Sequence, residues 1–341
     1  MSEREIMEYD VIVVGAGPAG LSCAIRLKQN KPDLMIAVIE KGSEVGAHIL
    51  SGAVIEPGPL DQLLPGWKEN PPPICIPVES DEIWLLSKTG RRRLPTPPQQ
   101  KNHGNYIVSL GAMCAWLADK AEALEIDIFP GYAAADIRYT EQGAVGGVII
   151  GDMGVGSDGQ PKDTYKQGIE IHAPVMIISE GVRGHLAKRL ISKFQLSSEC
   201  DPQTYGIGMK ELWRVQPGKS KPGLVQHTAG WPLDKNIYGG SFIYHLDKDR
   251  IAIGFVCGLD YHDPEFMPFE AFQQMKHHPM VHELLEGGEI LSSGARAIAE
   301  GGYQSLPNTE MPGALIIGDA AGTLNVPKIK GPHQALSLIH I

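Results

Sequence analysis

The chain has 341 residues, 43% of them hydrophobic, with 40 glycines, 26 prolines and a formal net charge of −10. That length buries one large or two medium cores, and the glycine and proline content fits a loop-rich α/β enzyme. The acidic balance, with no basic stripe beyond Arg91 to Arg93, argues against nucleic acid as a partner.

Tyr9 to Val14 reads YDVIVV, an apolar strand that enters GAGPAG. Gly15, Gly17 and Gly20 hold the spacing of a dinucleotide-binding turn. Gly15 permits the tight turn. Gly17 leaves the backbone bare for a pyrophosphate, and Gly20 lets the following helix pack close to the sheet. The helix start then offers free N–H groups to phosphate. Glu40 ends the next apolar run, LMIAVIE, where a carboxylate accepts from ribose hydroxyls and disfavours a 2′-phosphate. The bland alternative is a glycine turn with no ligand.

Residues 43–60 are small and glycine-rich, either a backbone that approaches a ring system or a plain loop. Residues 65–105, rich in proline and polar groups, read as an inserted loop. Tyr106 to Leu124 reads as a strand and helix, and Asp127 to Tyr132 and Ala134 to Tyr139 as short strands. Val145 to Asp152 and Lys166 to Ile171 read as antiparallel strands. Ala173 to Ile178 leads back to the first domain, placing Glu180 and Gly181 beside the cofactor, with a helix opening between Gly181 and Gly184.

From Tyr205 onward, GIGMKELWRV, IYGGSFIYHL and RIAIGFVCGL suggest an antiparallel sheet, followed by a helix over 268–286. Adjacent His277 and His278 point in different directions on a helix, which favours a solvated or packed end over a metal site. Ala314 to Gly318 is a short strand leading into Asp319, Ala320, Ala321 and Gly322. An acid there suits a ribityl or pyrophosphate contact; the alternative is a helix-capping Asp. Two such elements about 300 residues apart, serving one ligand, favour an extended FAD over NAD.

Cys23, Cys75, Cys114, Cys200 and Cys257 are far apart and form no CxxC, so nothing in the spacing supports zinc or an iron–sulfur cluster. Reduced thiols are the default. No run of about 18 apolar residues predicts a spanning helix. Only eight residues precede the expected first strand, too few for a targeting segment, so either one has been removed or the source is bacterial, the simpler expectation.

The chain resembles the electron transfer flavoprotein–ubiquinone oxidoreductase family. The resemblance rests on EKGSEVGAHILSGAVIEP (40–57), NHGNYIV (102–108), FPGYAAA (129–135), EGVRGHLAKRL (180–190), PQTYGIGMKELW (202–213), YGGSFIYHLD (238–247) and NVPKIKG (325–331), among others. It implies an α/β, glutathione-reductase-like FAD-binding Rossmann fold with an inserted α+β quinone-binding domain built on an antiparallel sheet. The implied division is 1–200 and 291–336 for FAD, with a loop insertion near 60–105, 201–290 for ubiquinone, and 337–341 as an atypical end.

By that resemblance, Gly15, Gly17, Gly20, Glu40 and Lys41 hold the adenosine and pyrophosphate half. Ser51, Gly52 and Ala53 lie against the flavin, and Asp319 and Gly322 hold the ribityl–pyrophosphate region. Tyr238, Gly239 and Gly240 match the quinone-site turn, for which an ordinary GG hairpin is the alternative. Electrons are expected to pass from reduced electron transfer flavoprotein through FAD and a 4Fe-4S cluster to ubiquinone. No side chain is expected to act as a classical acid or base.

The family's four-cysteine module should follow NVPKIKG, whereas this sequence reads GPHQALSLIHI. A truncated chain without the cluster, inactive in full turnover, is therefore expected. The resemblance also implies a monomer in monotopic association with a membrane. The expected site is the cytoplasmic face of a bacterial inner membrane, or the mitochondrial inner membrane in a eukaryote. A competing reading is an NAD(P)H-dependent FAD monooxygenase or geranylgeranyl-reductase-like enzyme. A third is a nucleotide-binding structural fragment.

Overall fold

Residues 4–49 and 52–337 are described by a computed structural model. The apolar run at the amino terminus forms the strand Val11–Val14, and its alternating side chains enter two cores. Val11 and Val13 pack with Leu21, Ile25, Met113 and Leu117 of the helices Pro18–Asn30 and Leu110–Glu122. Ile12 and Val14 pack on the other side with Ile137, Val148 and Ile171. Both faces are covered, which is why this strand is uniformly apolar.

Among the described residues, the strand belongs to a six-stranded sheet. Its order is Glu310–Met311, Ala314–Ile316, Val175–Ile178, Val11–Val14, Ile36–Glu40 and Asp127–Pro130. All pairs are parallel except the first. Helices cover one face. A four-stranded sheet of Ile6–Glu8, Glu170–His172, Val145–Ile150 and Ala134–Tyr139 covers the other.

The second domain is a seven-stranded sheet. Its order is Glu289–Ala299, Tyr205–Arg214, Arg250–Gly258, Gly239–His245, Leu224–Gly230, Ser80–Leu86 and Arg91–Leu94. The last two strands come from the stretch expected to be a loop insertion. Ser80–Leu86 pairs in parallel with Leu224–Gly230, so the sheet is mixed rather than purely antiparallel. The boundary expected at residue 290 falls inside Glu289–Ala299, which pairs with Tyr205–Arg214 from end to end. A long strand hydrogen-bonded along its length cannot be divided between two bodies.

The helix expected over 268–286 is two helices, Pro268–Lys276 and Pro279–Leu285. Pro279 has no N–H to continue the first helix and instead opens the second. His278 is the N-cap, its Nδ1 accepting from Met280 N at 3.2 Å, and its ring is buried. Phe272, Met275, Val281 and Leu285 from these helices pack on Met209, Ile253 and Phe255 of the sheet. The opposite sheet face packs Val225, Phe242, Tyr244 and Ala252 against Val54 and Ile107 of the first domain.

Among the described residues no helix is long and apolar enough to cross a membrane. In the same set, no three His, Cys, Asp or Glu side chains gather to hold a metal ion.

A candidate dinucleotide site and the domain seam

The carboxyl ends of four parallel strands converge, the position where open α/β sheets bind ligands. Gly15 N donates to Ile39 O at 2.8 Å, and Ser179 Oγ donates to Val14 O at 2.8 Å and Gly15 O at 3.0 Å. Gly15 has φ +104°, and a Cβ there would lie 2.5 Å from Ser179 O. A Cβ on Gly20 would lie 2.1 Å from Gly15 O. These two glycines are therefore required by packing. Gly17 differs: a Cβ there would meet nothing within 4 Å. It N-caps the helix Pro18–Asn30 with no side-chain cap hydrogen bond, at the helix end whose N–H groups lack intrahelical acceptors.

Glu40 is bound to this turn. Its Oε2 accepts from Ala16 N at 3.0 Å and its Oε1 from Gly42 N at 2.7 Å. Each oxygen keeps a lone pair for a hydroxyl. Lys41, beside it, is exposed.

The strand Ala314–Ile316 and the turn after it arrive at the same edge. Ile317 N donates to Ile178 O at 2.9 Å, and a Cβ on Gly318 would lie 2.8 Å from Ala19 Cβ, at the start of the first helix. Asp319 follows in a single 3₁₀ turn, not a helix start. Its side chain is part-accessible, yet the surrounding protein pushes its pKa up to about 6. Burial, which disfavours the charged form, is the cause. Gly322 has φ +82° and abuts Gln203.

Gly52 marks the seam between the domains. It has φ +90°, and a Cβ there would lie 2.4 Å from Ala252 Cβ on the second sheet. Ala53 begins the buried strand Ala53–Ile55. Ser51 lies outside the described residues. Glu180 is held at the start of the helix that follows it. Its Oε2 accepts from Ala187 N at 2.8 Å and its Oε1 lies 3.4 Å from His185 Nδ1, so it ties down the first turn of the helix His185–Lys193. Gly181, with φ +74°, makes the turn before that helix.

Tyr238 is 60% exposed and precedes the strand Gly239–His245. Gly239 and Gly240 open that strand and are not a two-residue hairpin. A Cβ on Gly239 would lie 2.2 Å from Val256 O, and one on Gly240 2.3 Å from Thr228 O. Both are required by the close approach of neighbouring strands.

Sequence reasoning passed over a set of charged groups at the seam. Lys210 Nζ donates to Gly52 O at 2.9 Å, and Arg296 donates to the His48 carbonyl. Lys328 Nζ lies 2.9 Å from Glu56 Oε1. Burial works against the Glu56 charge, but the Lys328 hydrogen bond and nearby cations hold its pKa below the usual value. Lys330 and His333 are buried beside them, and burial lowers both pKa values. The available signal was charge inside strand-length apolar runs, as in GMKELW.

This two-layered cradle beside a second sheet defines a class, the two-domain fold of flavin-dependent enzymes. The fold matches a geranylgeranyl bacteriochlorophyll reductase-like protein from Thermoplasma acidophilum with a TM-score of 0.73. Identity is 18%, covering 97% of this chain and 76% of that one. It also matches a flavoprotein/dehydrogenase from Cytophaga hutchinsonii with a TM-score of 0.65 and 17% identity, covering 98% and 76%. At those identities the likeness is one of fold alone.

Over the stretch it spans, the chain is similar to proteins named electron transfer flavoprotein–ubiquinone oxidoreductase. It is 50% identical to the mitochondrial oxidoreductase of that name from Sus scrofa, over 98% of this chain and 55% of the relative. It is 50% identical to the probable oxidoreductase of Acinetobacter baylyi, over 98% and 60%. Residues 205–298 match the family described as ETF-QO, ubiquinone-binding, and residues 2–56 match the Thi4 family. The chain thus spans little more than half the length of these curated relatives.

Proposed function

We propose that this chain is the flavin- and quinone-binding portion of an oxidoreductase that takes electrons from reduced electron transfer flavoprotein and delivers them to ubiquinone. The observation that carries this reading is 50% identity to proteins of that name across 98% of the chain. The match at 205–298 supports the quinone end, since it spans most of the second sheet, including Tyr238, Gly239 and Gly240. A 4Fe-4S cluster, in this reading, belongs to the part of the relatives that this chain does not span. Monotopic attachment to an inner membrane, as a monomer, follows from the same reading.

FAD is the proposed cofactor, and it supplies the ability to exchange electrons singly or in pairs. The residues fit it at both ends of the cradle. Gly17 leaves bare N–H groups toward a pyrophosphate, Glu40 keeps lone pairs for ribose hydroxyls, and Asp319, in the turn after the strand Ala314–Ile316, would meet the ribityl–pyrophosphate region. Lys41, Ser51, Gly52, Ala53 and Gly322 complete the proposed contacts. Gly181 shapes the chain beside them, while Glu180 serves through its helix. The protein's part is to bind, orient and exclude water.

The test is the absorption spectrum of the purified chain, before and after anaerobic addition of reduced electron transfer flavoprotein. Oxidised-flavin bands that bleach on addition support the reading. A flavin bleached only by NAD(P)H replaces it with a reductase or monooxygenase. Protein that stays colourless after incubation with FAD overturns it.

A further inference from the structure

The strand Tyr205–Arg214 divides its side chains between two environments. Met209, Glu211 and Trp213 turn to the helices, where Glu211 pairs with Lys276 at 2.8 Å. Lys210 turns the other way, to the first domain, with its ammonium 2.9 Å from Gly52 O and 5.3 Å from the centre of the Phe242 ring. It retains accessible surface, yet desolvation by the surrounding protein lowers its pKa to about 8.

A lysine in such a place, facing only a neutral carbonyl and a ring, carries an incompletely compensated charge. Among the described residues no carboxylate pairs with it. The flanking strand adds Arg296, opposite Gly208, which holds the His48 carbonyl. Two cations from the second sheet thus hold the carbonyls of His48 and Gly52.

We propose that Lys210 is a positioning residue that fixes Gly52 and sets a positive charge against the reduced flavin. The proposal rests on the FAD reading above. Flavin that gains two electrons and one proton becomes an anion, so a nearby ammonium favours the reduced form.

The experiment uses the full chain loaded with FAD, as wild type, Lys210→Met and Lys210→Arg. The midpoint potential of the bound flavin is read by titration, with thermal unfolding as the folding control. Lys210→Met is expected to lower the reduced-to-oxidised ratio at fixed potential about tenfold, about 30 mV for a two-electron couple. Lys210→Arg is expected to restore most of it, because a structural role of size alone would not follow charge. If Lys210→Met does not fold, Lys210→Gln, which keeps a donor and removes the charge, is titrated in its place. Flavin-loaded neutral variants with the wild-type potential overturn the proposal. A wild-type chain that binds no flavin overturns the parent reading instead.

Discussion

Glu40 Oε2 accepts from the Ala16 backbone N–H at 3.0 Å, joining the end of the strand Ile36–Glu40 to the middle of the glycine turn after Val11–Val14. The same carboxylate accepts from Gly42 N, so one side chain closes the cradle at both ends. Glu40→Ala removes two charge-assisted bonds, each worth about 1.5–3 kcal/mol. The expected result is a lower unfolding midpoint and weaker FAD retention. Glu40→Gln should lose less of both, as measured by denaturant unfolding and flavin content.

Gly17 and Gly20 should respond oppositely to the same change. Gly20→Ala drives a methyl toward Gly15 O at 2.1 Å, so expression of folded chain should fall. Gly17→Ala meets nothing in the protein and should leave flavin-free stability within about 0.5 kcal/mol. It should nonetheless weaken FAD binding at least tenfold. Equal FAD affinity in Gly17→Ala and wild type would remove the pyrophosphate from this turn.

Asp319 makes a prediction with a definite sign. Its folded pKa is raised to about 6, so the folded chain holds a proton that the unfolded chain releases. The resulting penalty is absent well below pH 4, grows as pH rises to 6, and is full above 6. A shift of about two pKa units corresponds to about 3 kcal/mol. Asp319→Asn should therefore stabilise the flavin-free chain at pH 7.5, with the gain shrinking toward pH 4. Thermal unfolding at the two pH values checks it.

Two histidines of the second sheet oppose that trend. Burial lowers the pKa values of His227 and His245 to about 4. His245 Nδ1 accepts from Lys221 N at 3.0 Å, a bond that protonation of that nitrogen removes. The unfolded chain binds more protons between pH 4 and 6.5, so stability falls as pH drops through that window. Two such groups outweigh one Asp319, and the denaturant midpoint should be lower at pH 5 than at pH 7. His245→Gln should flatten part of that slope.

The Glu211–Lys276 pair is sheltered between sheet and helix, with Trp213 Nε1 donating to the same carboxylate at 2.7 Å. Lys276→Met leaves Glu211 without its cation and should cost about 3–5 kcal/mol. Adding Glu211→Gln should recover a large part of that loss. A double variant no better than the single would mean the pair acts through packing alone.

Several elements were legible in the chain order of residues. Gly15, Gly17, Gly20 and Glu40 announced the cradle because turn, bare backbone and strand-end acid recur at local spacing. Ala134–Tyr139 was read with its observed bounds. The strand Ser80–Leu86 was hidden in a proline-rich stretch, because its partner Leu224–Gly230 lies far along the chain. No local period reports such a pairing. The break at Pro279 was missed because the apolar pattern runs on through the change of axis.

By itself the sequence determined which residues can turn, cap and pack, and hence a strand, glycine turn and helix at the amino terminus with a second sheet. It also carries 50% identity to proteins named electron transfer flavoprotein–ubiquinone oxidoreductase over 98% of its length. Only the tertiary structure decided that Gly318 meets Ala19, that Glu180 serves its own helix, and that Lys210 and Arg296 hold the carbonyls of Gly52 and His48. Those relationships join residues distant in sequence. They arise where apolar faces must be buried together, and the charges carried to the resulting seam become neighbours that no spacing rule describes.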